Sequence, residues 1–159
     1  MQVTTTKRRF RAVVVAACTA AVLAPLAAMP AATATPRAEL LTLINEERTS
    51  RDLRRVGELP RVSRIARSHS EQMVRRREVF PSSNLPGAIS GYDWREWGEN
   101  TTCGPTIRWI HRHLMRNRSS RRNLLNPVFR SVGLGVARSR SHPNVCRGGT
   151  YWVTEIFFG

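Results

Sequence analysis

The sequence predicts an α+β domain, a three-layer α-β-α sandwich built on a small, mostly antiparallel sheet. Three observations carry that prediction. Val62, Ile65, Ala66, His69 and Met73 recur at three and four residues, which makes one buried stripe along a helix. Tyr151, Val153 and Phe157 alternate with Trp152, Ile156 and Phe158, so the C-terminal strand carries bulk on both faces and is central, covered on both sides. Between them, Phe129 to Ala137 reads as a strand broken by Gly133 and Gly135, where another backbone or side chain approaches closely.

The elements follow in order. Lys7, Arg8, Arg9 and Arg11 precede an apolar run from Ala12 to Ala28, and Ala32-Thr33-Ala34 offers a small-x-small cleavage site. Residues 1–34 therefore read as a secretory signal peptide, with residues 35–159 as the mature domain. Pro25 inside the run weighs against a retained membrane span. Cys18 is read as part of the apolar run, since the residues after it stay apolar where a lipid-attachment site would turn polar. Arg8-Arg9-Phe10 is a partial twin-arginine match, so the export route stays open. A first helix starts after Pro36 and carries Leu40, Leu41 and Ile44, with Asn45 and Arg48 expected to be solvated. Arg51 to Gly57 is a polar connector, and Pro60 sits at the start of the second helix. Pro81, Pro86 and Gly87 mark a long loop. Trp97 to Thr102 is a short strand, Gly104-Pro105-Thr106 opens a third helix, and Arg116 to Arg122 is a basic turn. Ser139 to Gly149 is a hairpin loop.

At 159 residues the chain is long enough for one core. Its net charge is +15; residues 1–34 hold four basic and no acidic residues, which leaves +11 on the rest. All 22 remaining basic residues are arginine. Guanidinium forks suit phosphates, but a GC-rich genome also favours arginine over lysine. The charge predicts attraction to polyanions at low salt, fading as salt rises, centred on Arg116, Arg118, Arg121 and Arg122. Nothing in the pattern points to specific nucleic-acid recognition.

Cys103 and Cys146 are the two cysteines left after the leader, and an even pair in an exported chain reads as a disulfide. Closing that loop is worth about 4 kcal/mol in the chain-entropy picture.

A series of short motifs adds to this reading: Ala66 to Met73, Gly98-Glu99-Asn100, Asn123-Leu124-Leu125, Val132 to Val136 and Tyr151-Trp152-Val153-Thr154. In that order and spacing, from about Ala38 to Phe158, the chain resembles the bacterial branch of the CAP superfamily of cysteine-rich secretory, antigen five and pathogenesis-related proteins. The resemblance implies a cleft lined by two histidines and one or two acids, often able to hold a divalent cation. Here Pro81 and Ser120 stand at the two histidine positions, and Glu99 survives with no close nitrogen partner expected. A zinc site needs about three protein ligands, so no metal and no cofactor is expected.

The candidate cavity residues are Glu99, Asn100, His111 and Ser120. His69 is expected as a satisfied core histidine and His142 as solvated. His111 and His113 lie two apart and cannot share a helix face. Glu99 is a lone carboxylate where glycoside hydrolysis usually needs a pair. Glu99-Asn100 can also serve simply to fix a strand-to-loop junction. No catalytic residue is assigned. The expectation is a secreted, disulfide-stabilised binding module for a lipid, a sterol or an envelope glycan. The alternatives are a polyanion-binding surface protein and a degenerate hydrolase using Glu99.

Overall fold

Thr35 starts the fold. Its hydroxyl accepts the Ala38 N–H at 3.2 Å and Pro36 occupies the first helical turn, so α1 runs Pro36–Thr49. The computed structural model describes residues 34–139, 146 and 150–159. The expected leader, save for Ala34, His142 and most of the expected hairpin loop lie outside the described residues. The order is α1, β1 (Gly57–Glu58), α2 (Pro60–Arg76), α3 (Leu85–Ala88), β2 (Trp97–Gly104), α4 (Ile107–Arg116), α5 (Arg118–Leu124), β3 (Ser131–Arg138) and β4 (Tyr151–Phe158).

The four strands lie in the order β1-β3-β4-β2, with β4 antiparallel to both neighbours and β1 parallel to β3. β4 is central and buried along nearly its whole length, as its two-sided bulk predicts. One face packs Val132, Leu134, Val153 and Phe157 against α1, α4 and Leu124 of α5. The other packs Ile156 and Phe158 against Val62 and Ala66 of α2 and against Leu85 and Ile89. The three layers and the α+β class are those read from the sequence. The disulfide is also present: Cys103 and Cys146 are bonded across 43 residues with Cα atoms 5.6 Å apart.

Gly133 and Gly135 explain how α2 lies so close to the sheet. A Cβ on Gly133 would fall 2.4 Å from Val62 Cγ1, and one on Gly135 2.1 Å from the Ala66 carbonyl carbon. Helix and strand touch backbone to backbone there.

Three sequence expectations need correction. Asn45 and Arg48 are buried, not solvated. Asn45 holds both the N–H and the C=O of Val56, at 2.8 and 3.1 Å. The Arg48 guanidinium donates to the carbonyls of Arg54, Leu124, Asn126 and Phe129 at 2.8 to 3.1 Å. A buried cation satisfied by carbonyls ties α1 to the segment entering β3. The polar connector ends in β1, a two-residue strand beyond the reach of periodicity. The basic stretch from Arg116 to Arg122 is mostly helix: Asn117 ends α4, and its side chain accepts the Ser120 N–H at 3.0 Å to cap α5.

Candidate functional site

Strand alternation sends the two polar residues of Gly98-Glu99-Asn100 in opposite directions. Glu99 turns toward α2. Its side chain is 7 % exposed and lies 3.9 Å from His69 Nδ1. The Ser82 N–H donates to Glu99 Oε2 at 2.9 Å, and the Ser82 hydroxyl donates to Oε1. The expectation that Glu99 has no nitrogen neighbour is therefore corrected. The residue that reaches it from the long loop is Ser82, one position after Pro81.

His69 is buried, as its place in the α2 stripe predicts, yet it also borders a cleft. Its Nδ1 lies 3.0 Å from the Thr154 hydroxyl, which in turn lies 3.0 Å from Ser70 Oγ. Ser70 also donates to the Gly135 carbonyl. Nε2 is buried without a hydrogen-bond partner among the described residues. Burial pushes the His69 imidazole below the usual histidine range, against the opposing pull of the Glu99 carboxylate. The edge of Phe80 packs on the imidazole, with ring centroids 5.0 Å apart.

The cleft beside this group measures about 650 Å³ and lies between α2 and the segment Glu78–Ala88. Ile65, Phe80, Leu85 and Ala88 supply apolar wall, and His69 and Arg76 supply polar groups. The Arg76 guanidinium sits 4.8 Å above the Phe80 ring.

Asn100 turns to the opposite face. Its amide nitrogen donates to Glu155 Oε2 at 2.9 Å and to the Ser120 carbonyl at 3.2 Å. Its oxygen accepts from Asn123 at 2.9 Å, and Asn123 also donates to the Glu99 carbonyl at 3.1 Å. Gly98 makes room for this clasp, since a Cβ there would fall 2.5 Å from Asn123 Oδ1. The motif is thus a junction that locks α5 to β2. Ser120 meets it through its backbone carbonyl.

His111 lines a separate depression with Glu47, Arg51 and Arg121. Burial lowers its pKa, opposed by Glu47 and Glu46. The four candidate residues do not converge: Glu99 faces His69, Asn100 and Ser120 join the α5 junction, and His111 stands apart. Sequence reasoning missed Ser82, Thr154 and Glu155. Glu155 left a signal, because its phase puts it on the same strand face as Val153 and Phe157.

Among the described residues no group of three or more His, Cys, Asp or Glu side chains is gathered to hold a metal ion. The cation that the resemblance implies does not fit. Glu99 has both oxygens engaged by Ser82, and among the described residues His69 is the one imidazole beside it. No helix among the described residues is long and apolar enough to cross a membrane.

Comparison with known proteins bears on this geometry. Residues 41–156 match the model of the CAP family, described as the cysteine-rich secretory protein family. An extracellular protein containing an SCP domain from Bacillus anthracis superposes with a TM-score of 0.63 at 18 % identity. A cysteine-rich secretory protein from Staphylococcus aureus gives 0.61 at 19 %. In both cases 77 % of this chain is covered, but 40 % and 38 % of the neighbours, so the chain spans about two-fifths of their length. An outer surface protein from Borrelia burgdorferi gives 0.59 at 16 %, covering 76 % of this chain and 89 % of that one. At these identities the structures speak for the fold. No curated protein matches the chain.

Proposed function

The chain belongs to the cysteine-rich secretory protein (CAP) family, and on that premise we propose that it is a secreted binding module that takes an amphipathic envelope lipid into the cleft beside His69. The observation that carries this reading is the pairing of an apolar wall with the Arg76 guanidinium at the same cleft. Ile65, Phe80, Leu85 and Ala88 suit an acyl chain, and Arg76 at the same cleft suits an anionic or polar head. Both oxygens of Glu99 are engaged by Ser82, so it is not poised as a free base or ligand. That engagement weighs against the hydrolase alternative. Export to the outside of the cell is part of the same proposal, supported by the leader-like N-terminus and by fold neighbours described as extracellular or outer surface proteins.

A dansyl-labelled undecanoic acid tests the site. Titration into the protein should give saturable fluorescence enhancement. Ala88→Trp, which fills the cleft, and Phe80→Ala, which strips its wall, should each weaken binding about tenfold or more. Unchanged binding in both variants would place the lipid elsewhere and refute the assignment.

A second reading rests on Arg116, Arg118, Arg121 and Arg122, which are all exposed where α4 meets α5. They form a polyanion-binding surface independent of the cleft.

A further inference from the structure

The outer edge of β3 is covered as far as Leu134, which is fully buried, and is left open at Val136 and Arg138. β1 pairs with Ser131 and Val132 and stops. The Val132 carbonyl accepts from Leu59 on this edge, so alternation turns the N–H and C=O groups of Leu134, Val136 and Arg138 the same way. Ser63 Oγ accepts the Leu134 N–H at 3.0 Å. Beyond it, both Val136 groups and the Arg138 N–H have no hydrogen-bond partner among the described residues.

This edge forms part of a groove of about 560 Å³ between the start of α1 and the outer face of α2. Leu134, Val136 and Ala137 make its apolar part, and Arg37, Arg67, Glu71 and Arg138 its charged part. Arg37 pairs with Glu58 at 3.2 Å and Arg67 with Glu71 at 3.0 Å. Arg138 lies over the Tyr151 ring at 5.1 Å and has no carboxylate partner among the described residues.

We infer that this edge docks an extended acidic segment of a partner protein, which joins the sheet as a further strand beside β3. Three features select that occupant. Unpaired backbone donors and acceptors in register are the template for strand addition, and natural edges of this kind are normally blunted or covered. The open run from Val136 to Arg138 spans roughly 10 Å, enough for a three-residue pairing. Arg138, which has no carboxylate partner among the described residues, favours a carboxylate-bearing segment. A second copy of this chain is disfavoured, because its own β3 edge, Ser131–Arg138, carries no carboxylate to meet Arg138. The site is separate from the cleft beside His69.

Fluorescence anisotropy of a labelled heptapeptide alternating valine with glutamate tests this on the purified protein. Binding should saturate. N-methylation of the peptide's alternate backbone nitrogens keeps its charge and removes its ladder donors, and should weaken binding about tenfold or more. Arg138→Glu should weaken it about fivefold or more, and Val136→Pro, which deletes an outward N–H, should abolish it. Absence of binding would overturn the proposal. So would binding indifferent to N-methylation, since that would mean unspecific attraction to a cationic protein. The peptide comparison uses the unaltered protein, so a folding defect in Val136→Pro does not blunt the test.

Discussion

Glu155 lies in β4 with no solvent exposure, and burial raises its carboxyl from 4.5 to about 7, partly offset by the hydrogen bond from Asn100. One carboxyl oxygen, Oε1, has no partner among the described residues. The sign of the consequence follows from linkage. The unfolded chain gives up this proton near 4.5 and the folded one near 7, so stability falls as pH rises through that interval and the loss is complete above it. Glu155→Gln keeps the shape and the Asn100 hydrogen bond without the charge. Its melting temperature should match the parent's near pH 4 and exceed it increasingly up to about pH 7. The full difference is on the order of 3 kcal/mol. Thermal melts of both proteins across that range check it, and a difference that does not change with pH would sink the argument. His69 and His111 act on the other flank. Their lowered pKa values mean that stability is lost as pH falls below 6.5, the ordinary histidine value. Taking the difference between variant and parent cancels these contributions.

At the scale of elements, the packing of α2 on β3 rests on the missing side chain at position 135. A methyl there would overlap the Ala66 backbone, and backbone cannot swing aside as a flexible side chain can. Gly135→Ala should therefore cost about 1–3 kcal/mol or more. Gly57→Ala is the control: its Cβ would meet nothing closer than the Arg130 carbonyl at 3.9 Å, and the change should stay within about 0.5 kcal/mol. Urea titration of the two variants reads both, and an equal cost at the two positions would refute the close-approach argument. This approach was legible in the sequence, because a glycine within an apolar strand marks it. So were the α2 stripe, the central β4 and the cysteine pair, each a local pattern with a single physical cause. Arg48 was not legible, because three of its four carbonyl partners lie 76 to 81 residues away. Nor was the Ser82–Glu99 pair, which depends on how a loop without periodicity folds back over β2. The Asn100 cluster divided the candidate residues for a related reason. Adjacent positions on a strand serve opposite faces, and a motif read as one unit did two jobs.

For the molecule as a whole, the charge is the property that local structure modifies least. The net charge is +15 over the full sequence, and Arg116, Arg118, Arg121 and Arg122 stand exposed within seven residues. Like charges so close raise the local potential and draw in counterions, which a polyanion displaces on binding. Such attraction is sequence-blind and weakens steeply as salt rises, because its driving force is the release of those ions. On immobilised heparin the protein should be retained at low ionic strength and elute well below about 1 M salt. Replacing the four arginines by serine should bring elution earlier. It should also flatten the slope of log affinity against log salt by about 0.7–0.9 for each anionic group that an arginine no longer neutralises. Asn117, whose side chain caps α5, and Leu124, which anchors it in the core, are untouched by that change, so the helix itself should persist. Retention that survives high salt, or an unchanged slope in the variant, would mean that the polyanion is held by a built site elsewhere and that these four arginines are solvated bystanders.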